Sequence, residues 1–196
     1  MKAWLVDQSR LSAPAPLIGT HIAKARIQEV DISCSGMWAV TLDETSTIEV
    51  HKVDTTAMSL ECQFRLDSSH PNSRFDAICG IVELTSPRRV ILAVSDTCSH
   101  VIIYELGSEK RQINSTNGNV AMLSPNSKLL YTTNQYRGLS NPVVIITRIY
   151  DTGLPYTVDL GQLPPPNKID ASPTGDLLLA LKHDDIQCLR GWQLEA

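Results

Sequence analysis

The sequence lacks the features that mark a secreted, disulfide-bonded or membrane-spanning protein. Its five cysteines are scattered and odd in number, and no two of them form a Cys-x-x-Cys pair. This favours a reducing compartment, in which most of them would be small apolar core residues. The N-terminus is apolar for only a few residues before Asp7, which is too short for a signal peptide or a membrane span. We therefore expect a cytoplasmic or nuclear protein with no membrane partner.

Strong charge of one sign is also missing. The chain has 17 Lys and Arg residues against 21 Asp and Glu residues, which gives a net charge of −4 at pH 7. A nucleic-acid-binding surface needs a concentrated basic face. The adjacent basic pairs, Arg88-Arg89 and Lys110-Arg111, are typical of solvated turns, so we expect no nucleic-acid partner.

Catalytic and metal-binding motifs are absent as well. There is no Gly-x-Ser-x-Gly elbow and no Gly-rich phosphate loop. The histidines lack the paired spacing of metal ligands; Cys98 and His100 come closest, in a segment that is more typical of a surface turn. We predict no catalytic residue, no metal ligand and no cofactor, and hence that the chain is not an enzyme.

The sequence does contain a pattern of residues that recurs along the chain. Each copy is a short strand, a turn that begins with serine, a second apolar strand, a polar turn and a third strand. Proline follows the serine in most copies, and cysteine follows it in the first. The aligned serines are Ser33, Ser86, Ser124 and Ser172. They stand roughly 40–50 residues apart, a period that is typical of propeller blades.

Further β-branched runs of strand length complete most copies. Four antiparallel strands per unit make one propeller blade. We therefore predict an all-β fold, a β-propeller of four-stranded antiparallel blades at about 27–67, 75–115, 118–161 and, in part, 167–196. Residues 1–26 are predicted to hold the strands of a partial blade or an arm.

The third strands and the turns resemble those of the WD-repeat family. That family closes the third strand with a Trp-Asp dipeptide, and the corresponding pairs here are Val53-Asp54, Tyr104-Glu105, Tyr150-Asp151 and Trp192-Gln193. Its Asp-x-Ser-x-x-Gly turn is matched at 31–36 and 170–175. The family's Gly-His pair is absent, and with it the His-Ser/Thr-Trp-Asp hydrogen-bond network that stiffens such blades. The Ser-Pro-x-Gly turn is equally typical of lactonase-like propellers.

Three complete blades with a half at each end leave the closure of the ring open. An open stack exposes apolar faces and unpaired strand edges to water. We favour an incomplete propeller that is a segment of a longer one or is completed by a partner, which includes self-association through the end blades. The alternative is a small four-bladed ring in which the N-terminal strands complete the last blade.

The resemblance implies a non-catalytic scaffold for protein–protein interaction, whose loops on one face bind a protein partner. The candidate binding residues lie in the connections between blades and in the turns between second and third strands: His70, Arg74, Asp96, His100, Tyr136, Arg137, His183 and Asp184. Two alternatives stay open. One is a lactonase-like propeller hydrolase with a metal site of axial carboxylates, and the other is a structural subunit that completes a larger propeller assembly.

Overall fold

Our computed structural model describes residues 2–4, 17–20, 22–68, 72–84, 89–118, 120–124, 128–134, 143–150, 156–159, 168–172, 177–181 and 189–193. Over these residues the chain forms seventeen β-strands and no helix. The predicted all-β class is therefore confirmed. None of the described segments is a helix with the length and hydropathy needed to cross a membrane.

The strands form five antiparallel sheets, and within each sheet neighbouring strands follow one another along the chain. The first sheet has two strands, β1 (Lys2–Trp4) and β2 (Leu17–Thr20). The second has four: β3 (Ile27–Ile32), β4 (Trp38–Asp43), β5 (Ile48–Asp54) and β6 (Ser59–Leu66). The third has β7 (Phe75–Leu84), β8 (Arg89–Asp96), β9 (His100–Leu106) and β10 (Lys110–Asn117).

The remaining strands continue the same pattern. The fourth sheet has β11 (Val120–Leu123), β12 (Leu129–Asn134), β13 (Val143–Arg148) and β14 (Tyr156–Asp159). The fifth has β15 (Lys168–Ala171), β16 (Leu177–Leu181) and β17 (Leu189–Gln193). The three four-stranded sheets confirm the predicted antiparallel meanders, and we refer to them in chain order as blades one, two and three.

Successive sheets contact one another through their first strands. Strand β3 contacts β7, β7 contacts β11, and β11 contacts β15. One hydrophobic cluster lies between blades one and two, and a second lies between blades two and three. Each blade therefore shields a face of the next one, which is the packing of consecutive blades in a propeller.

The second strand of blade two shows why the sequence folds in this way. Residues 90–94 read Val-Ile-Leu-Ala-Val, and all five side chains are fully buried. They alternate between the two faces, so that Leu92 packs in the cluster toward blade one and Ile91 in the cluster toward blade three. A continuous apolar run is stable in this strand because both faces of the sheet are covered.

The repeated serines close the turns between first and second strands. The amide of Ser33 donates to the carbonyl of Trp38 at 2.9 Å, and the Ser33 hydroxyl accepts from the Trp38 amide at 3.2 Å. Ser124 makes the same two bonds with Leu129, at 2.8 and 2.9 Å. Both serines are buried, so their hydroxyls satisfy turn amides that water does not reach.

Gly118 marks a close approach between blades two and three. It is buried, and its amide donates to the carbonyl of Ser99 at 2.8 Å. A Cβ at this position would lie 2.6 Å from the Cβ of Thr132 on β12. Only a residue without a side chain fits here without a shift of the neighbouring strand.

We expect Gly118→Ala to lower the free energy of unfolding by about 1–3 kcal/mol, because overpacking displaces backbone or side chains. Gly107→Ala is the matched control, since a Cβ there would meet the Cγ of Arg89 at an ordinary 3.8 Å. Urea unfolding of both variants measures the difference. Equal stability of the two variants would show that the approach at Gly118 is not restrictive.

The two ends of the stack are open in the described part of the chain. The N-terminal hairpin forms a sheet of its own, with β2 beside the outer strand β6 of blade one. The described strands of the fifth sheet number three, and neither β1 nor β2 pairs with them. Among the described residues the arrangement is that of an incomplete propeller, which agrees with the favoured prediction over the four-bladed ring.

Candidate functional site

The turn between second and third strands has the same structure in blades one and two. It spans residues 43–47 in blade one and 96–100 in blade two, and each copy begins with aspartate. The aspartate Oδ1 accepts the amides two and four residues later, at 2.9 and 3.0 Å in blade one and at 2.9 Å twice in blade two. The fourth residue, Ser46 or Ser99, has a φ of 63° or 61°. The aspartates are therefore turn-forming residues first of all.

Blade two adds two side chains to this turn. The hydroxyl of Ser73, which precedes β7, donates to Oδ2 of Asp96 at 2.6 Å. The Nδ1 atom of His100 lies 3.3 Å from the same oxygen. The pairing of Phe75 with Asp96 in the β7–β8 ladder brings Ser73 over the turn. Serine, aspartate and histidine thus meet at one end of blade two.

The carboxylate of Asp96 is held in its charged form. Burial works against the charge, but hydrogen bonds from Ser73, from the amides of His100 and Cys98 and from the His100 ring outweigh it. The pKa of Asp96 therefore lies below its ordinary value of 3.8. An ionised carboxylate is a hydrogen-bond acceptor only.

This ionisation fixes the tautomer of His100. Because Asp96 only accepts, Nδ1 of His100 must be the donor, and a neutral ring then carries its lone pair on Nε2. The His100 side chain is 52% exposed, whereas that of Asp96 is 3% exposed. The arrangement is a buried carboxylate that orients a half-exposed imidazole, and it can accept a proton from a molecule bound at this end of the blade.

An arginine stands beside the turn in both blades. The carbonyl of Arg74 accepts from the Thr97 amide at 2.9 Å, and the carbonyl of Arg26 accepts from the Glu44 amide at 2.9 Å. Both arginines immediately precede the first strand of a blade, and both are exposed. The repeat therefore places a positive charge at the same position of two adjacent blades, on the face that carries His100.

One described carboxylate, that of Glu29, lies at the boundary between two blades. Glu29 on β3 accepts the amide of Ile78 on β7 at 2.7 Å, across the boundary between blades one and two. Burial raises the pKa of Glu29, against the hydrogen bond from Ile78, and the charges of Asp31 and Asp76 raise it further. Among the described residues no group of three His, Cys, Asp or Glu side chains could hold a metal ion.

The prediction that most cysteines are core residues is wrong for the described ones. Cys34, Cys62 and Cys98 are exposed, and Cys79 is buried. Cys79 packs in the cluster between blades two and three, where burial raises the pKa of its thiol to about 12. The reason is position in the blade, since Cys34 and Cys98 lie in turns and Cys62 lies on the outer strand β6.

Three of the eight predicted partner-binding residues are described, and they come together in blade two. Arg74 and His100 are both exposed, and the amide of Thr97, in the turn that carries His100, donates to the carbonyl of Arg74. Asp96 is buried, and its carboxylate accepts hydrogen bonds from the turn amides and from Ser73. The others lie outside the described residues: His70, Tyr136, Arg137, His183 and Asp184.

Sequence reasoning missed two parts of this constellation. Ser73 precedes Asp96 by 23 residues, and the β7–β8 register brings the two together. The second part is the contact of His100 with Asp96, in which the histidine follows the aspartate within one turn. This group contains no tryptophan and is not the His-Ser/Thr-Trp-Asp network of WD repeats. The signal that could have found the His100 pairing is the alignment of residues 43–47 with 96–100, which carries histidine in one copy only. That alignment does not include Ser73.

The described geometry defines a β-propeller, and comparisons with solved structures agree. A candidate 6-phosphogluconolactonase from Bacteroides uniformis superposes with a TM-score of 0.55 at 16% identity, over 85% of this chain and 50% of that one. A Lactobacillus plantarum protein superposes with a TM-score of 0.54 at 16% sequence identity, over 98% of this chain and 63% of that one. The WD40 domain of SCAP from fission yeast superposes with a TM-score of 0.51 at 11% sequence identity, over 79% of this chain and 37% of that one. No family model and no curated protein matches the sequence.

These likenesses show the fold, and the chain spans about half to under two thirds of the two bacterial structures. They also correct the leading functional prediction. A candidate 6-phosphogluconolactonase from Bacteroides fragilis matches as well, with a TM-score of 0.50. Because two of the similar structures bear the name of a hydrolase, the predictions of a non-catalytic scaffold and of a chain that is not an enzyme are withdrawn.

Proposed function

We propose that the protein is a propeller hydrolase that opens cyclic esters, with His100 as its general base. One observation carries the proposal: the half-exposed imidazole of His100 is oriented by the buried carboxylate of Asp96. A base held in one tautomer by a carboxylate is the arrangement that hydrolases use to activate water. The names of the similar bacterial structures support the same reaction class.

The reaction needs a single proton carrier. Nε2 of His100 takes a proton from water as the water oxygen attacks the lactone carbonyl carbon. The ring C–O bond then breaks, and the proton passes from the imidazolium to the departing ring oxygen. The product is an open-chain hydroxy acid. Asp96 stays ionised throughout and stabilises the imidazolium that forms between the two steps.

Arg74 suggests that the substrate is an anion. It is exposed on the same face as His100 and one residue from Ser73, whose hydroxyl holds Asp96. A guanidinium binds phosphate and carboxylate groups through paired N–H donors. We therefore propose a lactone of a phosphorylated sugar acid as the substrate class, with Arg74 bound to the anionic group.

We expect His100→Gln to lower kcat for a phosphorylated sugar δ-lactone by about 10²–10⁴-fold, because glutamine cannot take the proton. Arg74→Ala should instead raise KM for this substrate and leave a neutral δ-lactone unaffected. The measurement is lactone opening above the spontaneous rate, followed by acid release. Cys98→Ser is the control, since this exposed side chain lies in the same turn outside the proposed machinery.

The proposal fails if the wild-type protein does not exceed the spontaneous rate. It fails equally if His100→Gln retains wild-type kcat while its thermal unfolding is unchanged. A loss of activity in Cys98→Ser to the same extent would mean that the turn acts through its shape, and that His100 is not the base.

We also propose that the blades follow the WD-repeat plan. The supporting observation is the aspartate at the start of the turn between second and third strands. In both blades this residue, Asp43 or Asp96, accepts hydrogen bonds from the amides of its turn. The WD40 domain named above is similar in fold at 11% identity. This proposal concerns the construction of the blades and is independent of the hydrolase chemistry.

A further inference from the structure

The two oxygens of the Asp96 carboxylate accept different kinds of donor. Oδ1 accepts the backbone amides of Cys98 and His100, both at 2.9 Å. Oδ2 accepts the Ser73 hydroxyl at 2.6 Å and lies 3.3 Å from Nδ1 of His100. The two amides fix the orientation of the carboxylate. Ser73 and His100 therefore meet at an oxygen whose position is already set.

The two bonds to Oδ2 are unequal. The bond from Ser73, at 2.6 Å, has the length of a charge-assisted O–H···O⁻ bond, about 2.5–2.7 Å. The contact with His100, at 3.3 Å, is longer than the usual N–H···O bond of about 2.7–3.2 Å. An oxygen that already accepts one strong hydrogen bond attracts a second donor less. The hydroxyl thus holds Oδ2 more closely than the imidazole does.

The hydroxyl is also the more firmly placed of the two donors. Ser73 is 7% exposed, whereas the side chain of His100 is 52% exposed. The next residue, Arg74, is tied to the same turn by two bonds: its amide donates to Oγ1 of Thr97 at 3.2 Å, and its carbonyl accepts the Thr97 amide at 2.9 Å. Ser73 is therefore fixed over Oδ2, and the half-exposed ring has room to turn.

Blade one lacks both side-chain donors. The residue before its exposed arginine is Ala25, and the fifth residue of its turn is Thr47. Among the described residues, the hydrogen bonds to Asp43 all go to its Oδ1. The serine hydroxyl and the imidazole thus occur together in blade two, at an oxygen that blade one does not use. The comparison also shows that alanine is compatible with the position before the arginine.

We propose that Ser73 and His100 compete for Oδ2 of Asp96, and that Ser73 is a positioning residue that limits how tightly the carboxylate holds the ring. The benefit to catalysis rests on the proposed function, in which Nε2 of His100 meets first water and then the departing ring oxygen. A ring held by a long hydrogen bond can turn between these two positions. A ring held by a short one serves a single position.

The direct test is to remove the competing hydroxyl. In Ser73→Ala we expect the distance from Nδ1 of His100 to Oδ2 of Asp96 to shorten from 3.3 Å to about 2.7–3.0 Å. The ¹⁵N resonance of Nδ1 should move downfield as this hydrogen bond strengthens. Ser73→Thr keeps a hydroxyl and should retain the wild-type distance and resonance. Crystal structures of the three proteins and long-range ¹H–¹⁵N correlation spectra of the neutral ring make the comparison.

Lactone opening supplies the second measurement. Ser73→Ala should lower kcat for the phosphorylated sugar lactone, by less than His100→Gln does, because the base remains but turns less freely. KM should stay at the wild-type value, since the guanidinium of Arg74 is intact. Ser73→Thr should restore the wild-type kcat.

Each result decides one of the two proposals. An unchanged distance and resonance in Ser73→Ala overturns the competition. A ring that leaves Asp96 in this variant overturns it as well, because Ser73 would then support the ring. The same holds if Ser73→Thr behaves like Ser73→Ala, because the effect would not come from the hydroxyl. If the wild type opens no lactone, the proposed function fails, while the distance and the resonance still decide the competition.

Discussion

Replacing Ile91 with alanine is expected to lower the free energy of unfolding by about 2–5 kcal/mol, the largest effect of any single substitution considered for this protein. Ile91 is fully buried in β8 and packs in the cluster between blades two and three. Truncation removes apolar contacts and leaves a cavity that two rigid sheets cannot close. The adjacent Leu92 packs toward blade one, so the cavity forms only on the side of blade three.

Thermal unfolding and urea unfolding both measure this effect. For a chain of 196 residues, each kcal/mol shifts Tm by roughly 2–4 °C. Ile22→Ala is the matched control, since Ile22 is 86% exposed, and it should change stability by less than about 0.5 kcal/mol. A loss of less than about 1 kcal/mol for Ile91→Ala would mean that blades two and three do not share a tight core.

Replacing Asp96 with asparagine is expected to cost about 2–3 kcal/mol. The new side chain can still accept the two turn amides through its oxygen, but its amide group would face the Ser73 hydroxyl and the Nδ1–H of His100. Asp43→Asn is the control, because Asp43 accepts its bonds from Thr45 and Thr47 through Oδ1 alone. We expect the control to lose less than about 1 kcal/mol.

The pH dependence separates the charge of Asp96 from its shape. Its pKa is lower in the folded protein than its ordinary value of 3.8, so its contribution is fully present above that value and is lost as pH falls through the folded pKa. The wild type should therefore lose stability below about pH 4, and Asp96→Asn should lose less over the same range. Urea unfolding at pH 7 and at pH 3 makes the comparison. Parallel losses in both proteins would contradict the role of the carboxylate.

The architecture could be predicted from the sequence because its signals are local. Strand-length apolar runs, serine turns and aspartate turns recur at a blade-sized period, and each is explained by bonds within a few residues, as at Ser33 and Ser124. The same locality explains the confirmed four-stranded meanders. Neighbouring strands along the chain are neighbours in the sheet, so no long-range pairing had to be guessed.

The site could not be predicted because it depends on register. Ser73 reaches Asp96 only through the pairing of β7 with β8, a strand pair that contains two register shifts. Without that register, the sequence does not distinguish Asp96 from an exposed turn aspartate. The prediction for the cysteines was wrong because burial also depends on the place of a strand in the blade: Cys62 lies on the outer strand β6 and is exposed, whereas Cys79 lies on the inner strand β7 and is buried.

The buried position of Cys79 between blades two and three determines how readily this thiol reacts. Oxidants and alkylating agents react with thiolates, and a thiol with a pKa of about 12 is almost never ionised at neutral pH. Oxidative damage to the described cysteines would thus start at the rim, at Cys34, Cys62 and Cys98. The Cys79 thiol, in the hydrophobic cluster between blades two and three, stays unreactive for as long as the two sheets remain packed together.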